Sequence, residues 1–312
     1  MIDEKGILNL IDNFQVYDNR TVTQLVMQYT RLKGDVDKFS DDKTIYALVG
    51  PSGSGKSTFI ANMYTNGLLG NPNEGTFVPF INRFFADEPI TLTEETAYKR
   101  KLLREGKSFM LESAQFDEKY AEFIKEMKIK YGYKVCLIYL TKWHPKENIS
   151  MVQKRKCQGG HGRKSIELNE QTIEKMYEQD SKNLVEVMPY CDSCFVVNNQ
   201  TVELGQEQTI KPVLLLHKKL NGTFDYDKAE KNACFLYSRI LKHAARPKFN
   251  LRVDAPKPPR IFISYRSSTT RKIFTFIPNP QLPVYSRIED ILPTLKDPLA
   301  KLGIDPITGK KR

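Results

Sequence analysis

The chain of 312 residues holds no apolar run near the ~20 residues that a membrane-spanning helix needs. Nor does it open on a basic start and an apolar stretch: Met1-Ile2-Asp3-Glu4-Lys5 carries no visible secretory signal. Its five cysteines are an odd number in a long chain, which suits reduced thiols in a cytoplasmic protein better than a disulfide framework. Cys191-Asp192-Ser193-Cys194 has CxxC spacing. With no second CxxC and no paired histidine it reads as the edge of a strand, not a zinc site. An acidic excess is also absent. The chain has 48 Lys/Arg and 37 Asp/Glu; residues 239–312 hold 16 and 5 of these, leaving 32 of each sign elsewhere. The body is neutral, and the net charge of +11 sits in the last quarter. A basic tail of this kind is either a solvated face or a surface for nucleic acid or an acidic partner.

What is present centres on Gly50-Pro51-Ser52-Gly53-Ser54-Gly55-Lys56-Ser57, which matches G-x-x-x-x-G-K-[ST]. Thr44 to Val49 before it are β-branched, aromatic and apolar and read as a buried strand; Thr58 to Tyr64 after it read as a helix. Strand, glycine loop and helix together define a phosphate cradle. Glycines free to take positive φ let successive N–H groups turn inward around an anion, and the new helix directs its free N–H groups and positive dipole end at the same place. In this pattern residues Gly50 to Thr58 bind ATP, Lys56 reaches the β- and γ-phosphates, and the Ser57 hydroxyl ligates Mg²⁺.

The rest alternates. Residues 1–43 read as a helical N-terminal extension, with Ile7, Leu8, Leu10 and Ile11 on one helix and Val22, Leu25, Val26 and Tyr29 on a second. Residues 44–246 read as the α/β domain. Strands are expected at Thr76–Ile81, Ser108–Leu111, Val135–Leu140, Cys194–Val197 and Val213–Leu216. Helices are expected at Thr91–Arg104, Glu118–Tyr131, from Pro145 to near Gln158, at Asn169–Met188 and at Asp227–Ala244. The expected fold class is therefore a P-loop α/β protein, with a parallel sheet flanked by helices. Residues 247–312 hold ten of the 17 prolines and form a separate basic appendage. It contains a hairpin around Ser267-Ser268-Thr269-Thr270 and a short helix from Ser286 to Leu292.

The loop is shared by many ATPases and kinases. The chain has no N-K-x-D for guanine, no L-S-G-G-Q, and no apolar run ending in Asp-Asp or Asp-Glu. These absences argue against Ras-type GTPases, ABC ATPases and AAA-type motors. Four stretches in order are more specific. They are the P-loop itself, Gly106-Lys107-Ser108-Phe109-Met110-Leu111-Glu112-Ser113, Gly132-Tyr133-Lys134-Val135 with the strand after it, and Arg155-Lys156-Cys157-Gln158-Gly159-Gly160-His161. With Tyr177, Asn183-Leu184 and Asn198 at later spacings, they resemble the zeta-toxin family of P-loop kinases over about residues 44–199. The resemblance implies transfer of the γ-phosphate of ATP to a hydroxyl, with UDP-activated amino sugars as the family's best-known acceptors. It also implies an antitoxin-like protein partner. Arg155, with Arg163 or Lys164, would fold over the γ-phosphate. Glu112 would hold a magnesium water or the acceptor, and His161 would contact phosphate or cap the turn after Gly160.

The family pattern also has an asparagine followed two residues later by the aspartate taken as base. Here either Asn82 is that asparagine and Phe84 stands at the base position, or Asp87 is the base and Phe85 replaces the asparagine. The family's arginine four residues before Arg155 is Met151, and its arginine-rich helix start is Lys175-Met176 with Gln179 following. Two functions from different classes therefore stand: a kinase acting on a small hydroxyl-bearing metabolite, or a nucleotide-gated binding module whose basic tail meets nucleic acid or a partner protein.

Overall fold

The computed structural model describes residues 2–30, 36–82, 91–157, 169–204, 207–226, 263–266 and 273–276. Its centre is a six-stranded sheet. The strands, in chain order, are β1 (Thr44–Val49), β2 (Phe109–Ser113), β3 (Lys134–Thr141), β4 (Ser193–Leu204), β5 (Glu207–Lys218) and β6 (Phe224–Tyr226), and they lie side by side as β2-β1-β3-β4-β5-β6. The first four are parallel, with Val49 opposite Ser113 on one side and Tyr139 on the other. Every residue of β1 is buried, as expected of a parallel strand covered on both faces. The expected parallel sheet is there in these four strands, and at the far side it continues as a mixed sheet: β5 and β6 run antiparallel. Only Gly205 and Gln206 separate β4 from β5, too short a link for a helical crossover and the right length for a hairpin.

Helices cover both faces. On one side α1 (Glu4–Asp12), α2 (Asn19–Tyr29) and α3 (Lys56–Thr65) bury Ile7, Leu10, Val22, Val26, Phe59 and Met63 against Tyr46, Leu48, Ile138 and Val197. On the other, α4 (Leu92–Glu105), α5 (Glu118–Ile129) and α7 (Glu170–Val187) bury Leu102, Ile124, Tyr177 and Leu184 against Ile45, Ala47, Leu137 and Val196. α6 (Pro145–Cys157) leads out of β3. The starts follow local chemistry: Thr91 and Glu94 form a capping box on α4, and Asp3, Asp18, Asp117 and Asn169 cap α1, α2, α5 and α7.

The N-terminal helices belong to the same packed body. Asn62 on α3 exchanges two hydrogen bonds with the Gln15 backbone, both 2.8 Å, and Tyr29 stacks on Tyr64 at 3.8 Å. Glu4 reaches the sheet, where one carboxylate oxygen accepts from Ser193 Oγ (2.8 Å), His217 Nε2 (2.9 Å) and the Leu220 amide (2.9 Å).

The expected strand at Thr76–Ile81 is not a sheet member. It runs extended, joined by isolated bridges of Phe77 to Phe39 and of Phe80 to Thr30 and Met110. Pro79 has no N–H to donate, and it contributes only a carbonyl, to the Met110 amide. The hairpin in the basic appendage is present: β7 (Ile263–Arg266) pairs antiparallel with β8 (Ile273–Phe276). The helices expected at Asp227–Ala244 and Ser286–Leu292, and the boundary at 246/247, lie outside the described residues. Cys136, Cys191 and Cys194 are buried free thiols, and Cys194 is the second residue of β4.

Candidate active site

The P-loop joins β1 to α3. Gly55, the residue before α3, has φ +90°, and Gly53 has φ +81°; both lie in the left-handed region that side chains rarely adopt. Space is as restrictive as torsion. A Cβ on Gly55 would stand 2.2 Å from Asn199 Nδ2, and one on Gly53 would stand 2.3 Å from the Asn148 carbonyl oxygen. Two asparagines from elsewhere in the chain brace the loop. Asn148 on α6 donates to the Ser52 carbonyl (3.0 Å), and Asn199 on β4 donates to the Ser54 carbonyl (2.9 Å). Asn148 is held in turn by the Tyr177 hydroxyl (2.8 Å), which also accepts from the Lys142 amide (3.1 Å).

Lys56 is the first residue of α3 and is 5 % exposed. Its ammonium donates to the Gly50 carbonyl (2.8 Å) and the Pro51 carbonyl (3.2 Å) and stands 3.8 Å from Glu112 Oε1. Glu112 lies on β2, beside the P-loop strand and opposite Leu48, so a strand-end carboxylate meets the P-loop lysine although 56 residues separate them. Asn82 is level with Glu112 in register. Phe80 is bridged in parallel to Met110, and Asn82 and Glu112 each stand two residues past that bridge. Ser57 follows Lys56 in the first turn of α3 and is nearly buried.

Beneath the loop that follows β2 lies a group the sequence did not flag. Asp180 on α7 is 1 % exposed; it accepts from the Tyr139 hydroxyl and from the Phe116 amide (3.1 Å). Burial pushes its carboxyl up to about 7, opposed by those hydrogen bonds and the charge of Lys56. Asn183, one turn on, donates to the Phe116 carbonyl (2.6 Å). α7 thus grips both polar groups of Phe116, four residues past Glu112.

The residues present fit the phosphates of ATP and a Mg²⁺ ion. The loop has no room for Cβ atoms where anions need backbone N–H groups, a buried lysine opens the helix, and a hydroxyl follows it. Of the other expected site residues, Arg155 falls within α6; Asp87, His161 and Arg163 lie outside the described residues. No group of three or more His, Cys, Asp or Glu suited to a metal occurs among the described residues, and no described helix is long and apolar enough to cross a membrane. Asn148, Asn199 and Asp180 were missed because no local pattern distinguishes them. The one hint was position, Asn199 standing two residues past the apolar run Cys194–Val197.

The strand order and the loop between β1 and α3 define a P-loop α/β fold. No family model matches the chain, and no curated protein matches it. Among solved structures, the AvrRxo1-ORF1:AvrRxo1-ORF2 complex, in crystals with sulphate and with ATP, is similar at 14% identity. The match covers 76% of this chain and 71% of that one, with a TM-score of 0.42. The PezAT chromosomal toxin–antitoxin system of Streptococcus pneumoniae is similar at 13% identity, over 63% of this chain and 78% of that one, with a TM-score of 0.37. Identity at this level does not carry site residues from one chain to another.

Proposed function

We propose that the protein is an ATP-dependent phosphotransferase of the zeta-toxin kind, moving the γ-phosphoryl group to a hydroxyl of a small metabolite, with nucleotide sugars as the favoured class. The observation that carries this reading is the buried Lys56 ammonium at the start of α3, inside the P-loop and 3.8 Å from Glu112. Mg²⁺, when bound through the Ser57 hydroxyl, would neutralise phosphate charge. Lys56 would turn from the Gly50 and Pro51 carbonyls to the phosphates, and Glu112 would orient a metal-bound water or the acceptor. The acceptor oxygen forms its bond to phosphorus as the bond to the ADP oxygen breaks, and its proton passes to a base. Asp87 fills that role in one register. Arg155 and Arg163 would close over the transferred group, with His161 beside them, and Asn82 would meet the acceptor. An antitoxin-like protein partner is part of the same reading.

The test is Mg-ATP turnover by the purified chain with a panel of nucleotide sugars, nucleosides and oligonucleotides. Turnover stimulated by one acceptor class and lost in Lys56→Ala is expected; turnover retained in that variant sinks the proposal. The departure at Phe84 or Phe85 and the +11 charge of residues 239–312 favour a second reading, a nucleotide-gated module whose tail binds nucleic acid. It expects tight ATP binding without turnover, and a salt-dependent affinity for DNA or RNA that disappears on truncation after about His243.

A further inference from the structure

Val49 is the last residue of β1, and the P-loop begins directly after it. In register it lies between Ser113 on β2 and Tyr139 on β3. Val49, Tyr139 and Phe116 all belong to the core that α7 covers, so α7 packs beneath the place where the P-loop leaves the sheet. There the buried Asp180 carboxyl reaches to both neighbours of β1. One oxygen accepts from the Tyr139 hydroxyl on β3, and the other accepts from the Phe116 amide (3.1 Å) in the loop after β2. Asn183 adds the Phe116 carbonyl (2.6 Å). The charge of Lys56 also acts on Asp180.

Glu112 stands where such an anchor has an effect. β2 is the edge of the sheet, and its one partner within the sheet is β1. Glu112 is the residue before the last of β2, and the chain after it turns tightly. Ser113 Oγ donates to the Gln115 carbonyl (2.5 Å) and accepts from the Gln115 amide (3.3 Å). A turn this short has little slack, so a shift at Phe116 passes back to the carboxylate 3.8 Å from Lys56. The P-loop backbone is braced separately, by Asn148 and Asn199. We propose that Asp180, with Asn183, is a positioning residue for phosphoryl transfer: by holding Phe116 it keeps Glu112 at the distance from Lys56 that the reaction uses. Asp180 is sealed from solvent and acts through Glu112, without touching substrate. The assignment rests on the phosphotransferase reading and adds to it the residues that set the Glu112 geometry.

The test is steady-state kinetics with Mg-ATP and the acceptor that best stimulates wild-type turnover, for the wild type, Asp180→Ala, Asp180→Asn and Asn183→Ala, under conditions where urea denaturation finds each of them folded. Small displacements of a group that orients the reactants are costly. Asp180→Ala should lower kcat about ten- to a hundredfold, and Asn183→Ala should lower it about threefold or more, while KM for ATP stays within about threefold of wild type. Asp180→Asn should recover most of the loss, because its Oδ1 still accepts from the Phe116 amide and its Nδ2 donates to the Tyr139 oxygen. A folded Asp180→Ala with wild-type kcat, a loss confined to KM for ATP, or an Asp180→Asn no better than Asp180→Ala would overturn the positioning role and leave the phosphotransferase reading standing. If Asp180→Ala does not fold, Asn183→Ala decides by the same split between kcat and KM. A wild type without turnover on any acceptor overturns both.

Discussion

Gly55→Ala perturbs the P-loop at the point where backbone torsion and packing coincide, and the two contributions are separable. A side chain at a left-handed residue costs about 1–2 kcal/mol; Gly55 has φ +90°. The new methyl would stand 2.2 Å from Asn199 Nδ2, so the amide must leave the Ser54 carbonyl. Losing that buried hydrogen bond and stranding its partner adds about 1–3 kcal/mol, for a total of about 2–5 kcal/mol. Gly67→Ala is the control. It has φ +70° with nothing within 4 Å of a Cβ, and should show only the torsional part, about 1–2 kcal/mol. Asn199→Ala removes the obstacle along with the bond and alone should cost about 1–3 kcal/mol. The double variant Gly55→Ala/Asn199→Ala should therefore be more stable than the sum of the singles predicts, by the hydrogen-bond term counted twice, about 1–3 kcal/mol. Urea denaturation of the four variants measures this, provided the slopes stay equal. Additive singles, or Gly55→Ala no worse than Gly67→Ala, would refute the contact between the loop and β4.

Other expectations follow from the buried groups. The Asp180 carboxyl is raised from 3.8 to about 7 by burial, so the folded state holds this proton more tightly than the unfolded one. Its contribution is complete below about pH 4 and is lost as pH rises through 7. Asp180→Asn should thus gain stability relative to wild type between pH 4 and 8, by at most about 4 kcal/mol, and a pH-independent difference between the two would contradict this. Glu4→Ala removes an acceptor shared by His217 Nε2, the Leu220 amide and Ser193 Oγ, the last of which keeps the Lys218 carbonyl; it should destabilise the protein by about 1–3 kcal/mol and speed proteolytic cleavage before Asn19, both absent if α1 is merely apposed. Cys136, Cys191 and Cys194 are buried, and burial pushes the Cys191 thiol up to about 12. Mass spectrometry after a brief pulse of thiol reagent should find these three unmodified in native protein and modified in urea; rapid native labelling would mean that the β3–β4 core opens.

Local chemistry was enough to read most elements and the cradle. α1, α2 and α4 to α7 were legible from apolar spacing and capping residues, and the P-loop from eight consecutive positions, because these depend on neighbours within a turn or two. Even the hairpin of the basic appendage follows from alternation about a polar turn. What the sequence could not supply were relations across distance. The direction of β5 depends on a two-residue link, not on its apolar composition, which suits either orientation. The extended run at Thr76–Ile81 has strand composition, yet Pro79 leaves it joined to the sheet by isolated bridges. Glu112 was marked by its place at a strand end, but its 3.8 Å approach to Lys56 exists only because β2 lies beside β1. Asn148, Asn199 and Asp180 have ordinary neighbours in the chain. Their roles arise where α6, β4 and α7 pack around the loop, since a buried amide or carboxylate is defined by what surrounds it in space and not by the residues on either side.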